Sequence, residues 1–146
     1  MREILYRGVS TDSVEWVEGW FEMYPYGRWP MKETIIPADE AKDGYFHHVE
    51  VIPETVGQFT GLTDKNGKRI FEGDIFSVTW SAKDRTPVVK TFVAVFKNGC
   101  FYARAFNGNQ IVATIANYAN CRKVGDTGVF VEVIGNIHDN PELLEE

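Results

Sequence analysis

The side chains that could do chemistry in this chain are few and scattered. Its soft metal ligands are two cysteines and three histidines, namely Cys100, Cys121, His47, His48 and His138. No pair among them has the Cys-x-x-Cys or His-x-x-x-His spacing typical of a zinc site. Neither cysteine stands beside an obvious base, and no Gly-x-Ser-x-Gly elbow is present to activate a serine. We therefore expect no metal, no cofactor and no covalent catalysis.

Three acidic side chains remain as candidates for acid–base or hard-cation chemistry. Asp64 precedes an Asn-Gly turn, whereas Glu72 and Asp74 lie two residues apart across a glycine. Carboxylates at such corners can bind a cation or transfer protons. Turns recruit the same residues, because their side chains bond nearby backbone amides. We expect the turn role and a protein that is not an enzyme; an enzyme would need these groups to converge in a cleft.

The turns beside these carboxylates predict antiparallel strands. Asn66-Gly67 favours a tight hairpin with two consecutive positive φ angles. After it, Ile75–Trp80 alternates between apolar and polar residues, as a half-buried strand does. Val88–Phe96 is apolar on both faces, which is typical of a central strand. The turn at Asn98-Gly99 leads into a further strand, Cys100–Phe106, and Asn107-Gly108-Asn109 turns the chain again.

The remaining segments have less regular patterns of apolar and polar residues. Strands are predicted at residues 2–8, 14–23, 47–52 and 129–137, and Gly19 indicates a bulge or a close approach of backbone. The alanines and the apolar spacing of residues 110–120 favour a short helix, although a strand is the open alternative. Asn140 is expected to cap a last turn at Pro141–Leu144.

Together these elements predict an all-β, mainly antiparallel fold: a small, strongly bent barrel or sandwich with one short helix. Its length of 146 residues suits one domain. Within that domain, residues 54–140 would form the barrel-like core. Residues 1–53 would add the N-terminal strands and an aromatic loop.

Two long motifs stand out: the first runs from Val56 to Ile75 and includes both turns, and the second is Val133–Leu144. Both resemble the YopX family, small proteins found in bacteriophages and prophage regions of bacterial genomes. The start, Arg2–Arg7, is also similar, although Gly8-Val9 stands where family members often carry Ala-Trp. The resemblance implies a mostly β, phage-type protein of uncharacterised role, and it supplies no catalytic residues.

Composition and charge narrow the function classes. The net charge is −6 and the sequence pI is about 5.1, which argues against general electrostatic binding of nucleic acid. The first residues lack the apolar segment of a secretory signal, and no run of eighteen apolar residues suggests a membrane span. We expect a protein of the bacterial cytoplasm, with Cys100 and Cys121 as free thiols.

An aromatic cluster supplies the candidate interaction surface. Six aromatic residues fall between positions 16 and 29, and those on the strand (Trp16, Trp20 and Phe21) are expected in the core. Those that follow it lie in an irregular segment, where rigid aromatics beside an arginine are typical interface anchors. The candidate surface consists of Tyr24, Tyr26, Arg28 and Trp29. The alternative is a loop folded back over an open barrel end.

These observations favour a non-enzymatic protein-binding or assembly module, with self-association through the same loop or an edge strand as a corollary. The alternative function is a nucleic-acid-binding β-barrel. It would use the strand Cys100–Phe106, where aromatic and basic residues alternate. The residues concerned are Phe101, Tyr102, Arg104 and Phe106, and the competing interpretation is a core strand with one exposed arginine.

Overall fold

The all-β prediction is confirmed by the structure, a computed structural model that describes residues 3–25, 31–39, 47–81, 83–105, 111–119 and 129–145. More than half of the described residues lie in strands, and helix is confined to short segments. The strands form two antiparallel sheets. No closed barrel forms in the described ranges, so of the two predicted forms, a barrel or a sandwich, the closed barrel is not found.

The chain contains eleven strands and one short helix in the described ranges. The first five strands are β1 (Tyr6–Val9), β2 (Trp16–Tyr24), β3 (Lys32–Pro37), β4 (Val49–Glu50) and β5 (Gly57–Thr63). They are followed by β6 (Arg69–Phe71), β7 (Asp74–Ser81), β8 (Pro87–Lys97), β9 (Cys100–Ala105), β10 (Ile111–Thr114), α1 (Ile115–Ala119) and β11 (Phe130–Asn136). Single 3₁₀ turns lie at Pro53–Thr55 and Pro141–Leu144.

The strand order is β4-β3-β2-β1-β5-β6 in one sheet and β10-β9-β8-β7-β11 in the other. The chain divides into two compact units, Met1–Phe59 and Thr60–Glu146. The boundary between these units falls within β5; the single domain with parts 1–53 and 54–140 stays a prediction.

In the N-terminal unit, the first half of β2, up to Gly19, pairs with β1, and its second half, from Gly19 to Tyr24, pairs with β3. The strand β3 was not predicted, because a lysine and a glutamate precede its apolar Ile35 and Ile36. Ile35 is fully buried and pairs with Val49 of β4. The close backbone approach predicted at Gly19 is present, since this residue lies directly against the Ile36 carbonyl of β3.

In the C-terminal unit, β8 is the central strand of its sheet, as its apolar faces predicted. Alternating residues of β7 and β8 cover one face, which carries the hydrophobic core. The buried members of that core are Ile70, Phe76, Val78, Phe92, Ala94, Ala103, Ile115 and Val131. This set combines residues of β6, β7, β8, β9 and β11 with the helix α1, so the core depends on most elements of the unit.

The hairpin between β8 and β9 has the tight geometry that its Asn-Gly pair favours. Lys97 pairs with Cys100, which leaves a two-residue loop. Asn98 and Gly99 both have positive φ, at 51° and 78°. This geometry matches the right-handed twist of the flanking strands.

The predicted pair of positive φ angles is wrong at Asn66-Gly67, where only Gly67 is positive, at 79°. The loop is longer, because the backbone of Asp64 bonds both Gly67 and Lys68. The Asp64 carboxylate also accepts from the amides of Asn66 and Lys68, at 2.8 and 2.9 Å. The side chain thus builds a wider turn than the Asn-Gly pair alone would favour.

Two further expectations are corrected. The predicted helix over 110–120 is a strand, β10, in its first half, because Thr114 pairs with Tyr102 on β9. Only Ile115–Ala119 is helical. At the C-terminal end, Asn140 makes no side-chain cap to the turn that follows. Its side-chain oxygen Oδ1 instead accepts from the backbone amide of Asn136, at 3.3 Å.

The outer edge of β11 is covered by the turn between β5 and β6. The Lys65 amide donates to the Val131 carbonyl at 2.8 Å, and the Val133 amide donates to the Asp64 carboxylate at 3.0 Å. An ion pair of 3.1 Å joins Lys65 to Glu132 between them. Because these edge groups are already bonded, β11 is a poor template for adding a strand from another chain.

Replacing Gly19 with alanine tests the contact between β2 and β3. The added methyl group would clash with a backbone carbonyl oxygen, so the strands must separate. We expect Gly19→Ala to lower the free energy of unfolding by about 2–3 kcal/mol, measured by urea denaturation. Gly8→Ala is the control, because its methyl would meet side-chain atoms of Val51 and Ile35 at 3.1–3.3 Å rather than overlap a backbone carbonyl oxygen. A Gly19→Ala loss no larger than the control's would contradict this account.

Candidate functional site

The structure describes one of the four residues of the predicted interaction surface. Tyr24 ends β2, half-buried, with its ring stacked on His48 at a centroid distance of 3.9 Å. The Nε2 atom of His48 lies 2.8 Å from the Glu22 carboxylate. Tyr24 is therefore held by its neighbours. The other three residues, Tyr26, Arg28 and Trp29, lie outside the described ranges, so their part of the surface stays a prediction.

The strand aromatics are less buried than the sequence suggested. Trp20 is 45% exposed, so its expected place in the core is wrong. Phe21 is half-buried, with its ring 5.5 Å from that of Tyr6. Trp16 is also half-buried, and the Arg7 guanidinium lies 4.6 Å from the centre of its ring. Successive residues of β2 point to opposite faces, which separates Trp20 from Phe21.

Asp64 is buried, and its carboxylate accepts hydrogen bonds both within its own turn and from the edge of the sheet. One carboxylate oxygen accepts from two turn amides, and the other accepts from the Val133 amide, 69 residues away in sequence. Only 7% of the residue is exposed. All three donors are backbone N–H groups, so this carboxylate joins a hairpin to β11.

Glu72 and Asp74 flank a turn that is also held by backbone bonds. Asp74 is 1% exposed and accepts from the Phe71 amide at 2.7 Å, while Glu72 is half-buried. Between them, Gly73 donates to Ala94 and accepts from Ile137, at 2.8 and 2.9 Å. The two motifs that carry the family resemblance therefore meet in space. Their contacts build the frame of the C-terminal unit.

The soft ligands do not assemble into a metal centre in the part of the chain that the structure describes. There, no group of three or more His, Cys, Asp or Glu side chains could hold a metal ion. Cys100 is a half-buried free thiol, and Cys121 lies outside the described ranges. His138 is exposed, and its amide donates to the Asn136 side chain at 3.0 Å.

The strand considered for nucleic-acid binding divides its side chains between two faces. Phe101 lies on the core face, its ring 5.0 Å from that of Phe96. Tyr102 and Arg104 point to the opposite face, since neighbouring residues of a strand alternate. Phe106 lies outside the described ranges. The described residues of β9 therefore do not place Phe101, Tyr102 and Arg104 on one stacking platform.

A cavity of about 520 Å³ opens on the core face of the five-stranded sheet. Three aromatic side chains line it: Trp80 from β7, Phe92 from β8 and Tyr118 from α1. The rings of Phe92 and Tyr118 are stacked, with centroids 5.6 Å apart. Phe92 belongs to the buried core, and the other two rings pack against it. The cavity is thus a continuation of the core, of a size that suits a ligand group.

Aliphatic and polar groups complete the lining. Ala105, Val112 and Val129 contribute apolar surface, while Ser81 and Lys90 contribute polar atoms. The Lys90 ammonium lies 5.9 Å from the centre of the Trp80 ring. None of Asp64, Glu72 and Asp74 lines this cavity, so the predicted carboxylates and the cavity are separate features.

Sequence reasoning did not identify this cavity, although one signal for it was present. In β8, Lys90 falls on the same face as Phe92 and Ala94, which are both buried. A lysine in line with core positions indicates that the core ends or opens there. The contribution of Tyr118 could not be found in this way, because it depends on where β10 ends and α1 begins.

Comparisons with known proteins cover nearly the whole chain. The family model described as YopX protein matches residues 6–145. No curated protein matches the chain significantly. A similar solved structure is the crystal structure of protein EF1440 from Enterococcus faecalis. It is 25% identical, with a TM-score of 0.53, over 99% of this chain and 100% of that chain. Among the described residues, no helix has the length and hydropathy to cross a bilayer.

Asp64 variants test whether this carboxylate holds the frame. Asp64→Ala removes the acceptor of three amides, so we expect a loss of about 3 kcal/mol in the free energy of unfolding. Asp64→Asn can keep the turn bonds but presents an N–H to the Val133 amide, and should cost about half as much. Urea denaturation measures both.

Asp84→Ala is the matched control for these variants. Asp84 is exposed, and hydrogen bonds from the Thr86 hydroxyl and amide hold the pKa of its carboxyl below the ordinary value. Its turn is local, so the unfolding midpoint should hardly move. Equal effects of Asp64→Ala and Asp84→Ala would show that the link to Val133 does not stabilise the unit.

Proposed function

The chain belongs to the YopX family, and we propose that it acts as a non-enzymatic protein-binding or assembly module. In this proposal, the cavity on the five-stranded sheet receives an apolar side chain of a partner protein. The phage or prophage setting and a place in the cytoplasm of the host cell are parts of the proposal. They are supported by the family resemblance.

The cavity itself carries the proposal. It is lined mainly by aromatic and aliphatic groups, and it continues a packed core rather than lying on a flat surface. Apolar concave sites of a few hundred cubic ångströms are the usual places where proteins bind ligand groups. A side chain that enters such a site is desolvated on most sides, which is the environment of binding hot spots.

The covered edge of β11 also favours side-chain insertion over strand addition. Its outward groups at Val131 and Val133 are bonded within the chain, so a partner strand gains little there. A partner that uses the cavity needs no free strand edge. Self-association follows as a corollary if the inserted side chain comes from a second copy.

A pair of valine variants tests the cavity as the binding site. Val112 lines the cavity and is 53% exposed, whereas Val89 is 60% exposed and lies outside the cavity lining. Peptides are first selected on the wild-type protein from a yeast-displayed random library. We expect Val112→Trp to fill the cavity and to lower the affinity of these peptides for the protein at least tenfold, a change of about 1.4 kcal/mol in binding free energy. Val89→Trp should leave their affinity within about twofold of wild type, because it adds the same side chain elsewhere.

Three results would contradict the proposal. The library could yield no peptide with an apolar anchor, or both variants could bind the selected peptides equally well. In the third, the wild-type protein retains single- or double-stranded DNA on filters at low salt, and Val112→Trp abolishes this retention. That result would favour the nucleic-acid alternative.

A further inference from the structure

We infer that the cavity selects an aromatic side chain that stands next to an acidic residue in the partner, and that Lys90 pairs with this carboxylate. The inference rests on the proposed function, because it names the chemistry of the group that enters the same cavity. It depends on two observations, the aromatic lining and the place of one lysine, Lys90, in that lining.

The lining favours a flat ring as the inserted group. Phe92 and Tyr118 already stack on each other, and Trp80 adds a third ring to the same cavity. Aromatic rings gain additional attraction from edge-to-face or offset contacts, beyond what burial of apolar area provides. An aliphatic side chain would gain the burial without these contacts.

Lys90 provides the charge complementarity. Two other lysines of the described chain have carboxylate partners, Lys32 with Glu50 at 3.4 Å and Lys65 with Glu132 at 3.1 Å. In the described ranges no carboxylate lies within 4 Å of the Lys90 ammonium, which lies over the Trp80 ring.

The strand register explains why Lys90 has apolar neighbours. It pairs with the fully buried Val78 on β7, and Phe92 follows it on the same face. A carboxylate that reaches this ammonium would form a charge-assisted hydrogen bond, the stronger class of hydrogen bond. An acidic residue beside the inserted ring could make this contact.

The same observations disfavour nucleic acid as the occupant, although a base could also stack in the cavity. A phosphate backbone needs several cations along its path, whereas the described cavity lining offers one. The net charge of −6 would also repel a polyanion more than a short peptide with one carboxylate.

Two dipeptides that differ mainly in charge test the inference: acetyl-Trp-Asp-amide and acetyl-Trp-Asn-amide. Binding is followed by fluorine NMR of protein labelled with fluorotryptophan, with the Trp80 resonance assigned by a Trp80→Phe variant. We expect both dipeptides to shift the Trp80 resonance and the aspartate form to bind about fivefold more tightly. Lys90→Met should reduce this ratio to about one, and Lys90→Arg should retain it.

Two controls make the outcomes distinct. Lys97→Met removes an exposed lysine at the end of β8, outside the cavity lining, and should preserve the fivefold ratio. Acetyl-Ala-Asp-amide carries the charge without the ring and should not shift the Trp80 resonance. Equal binding of the two tryptophan dipeptides would overturn the inference but leave the proposed function standing. Failure of both to perturb Trp80 would overturn the cavity as a binding site, and with it the proposed function.

Discussion

The hydrogen bonds of one buried carboxylate connect the distant parts of the C-terminal unit. Asp64 accepts from the amides of its own turn and from the Val133 amide, so it fixes a hairpin and the edge strand β11 together. A second junction lies close along the chain, where Gly73 bonds Ala94 and Ile137. These links hold together segments that a small sheet would otherwise leave free at its edges.

The residues that make the sequence recognisable are thus used mainly for structure. Asp64, Gly73 and Asp74 belong to the first motif, and Ile137 belongs to the second; their described partners are mostly backbone groups. Backbone bonding explains why turn residues dominate both motifs. The candidate binding chemistry lies elsewhere, on the parts of β7, β8 and α1 that line the cavity.

The sequence predicts correctly those features that depend on neighbouring residues along the chain. The central strand β8 and the Asn98-Gly99 turn follow from alternation and from glycine's freedom at positive φ. The wider turn at Asn66-Gly67 depends on the hydrogen bonds of the Asp64 side chain, and the change from strand to helix at Ile115 depends on pairing with the neighbouring strand β9. The same holds for the cavity, since its rings come from three separate elements. The one sign of the cavity in a single strand is Lys90, a lysine in line with the core positions of β8.

Hydrogen exchange of the protein, free and bound to a library-selected peptide, is the most direct test. It shows whether the frame formed by the two motifs is separate from the binding site. The account predicts added protection in segments that carry the cavity, residues 78–92 and 111–118. Protection in the motif segments 57–75 and 133–140 should stay as in the free protein, because their amides are already bonded within the chain. Protection gained chiefly in those motif segments, or beside Tyr24, with none around the cavity, would contradict it.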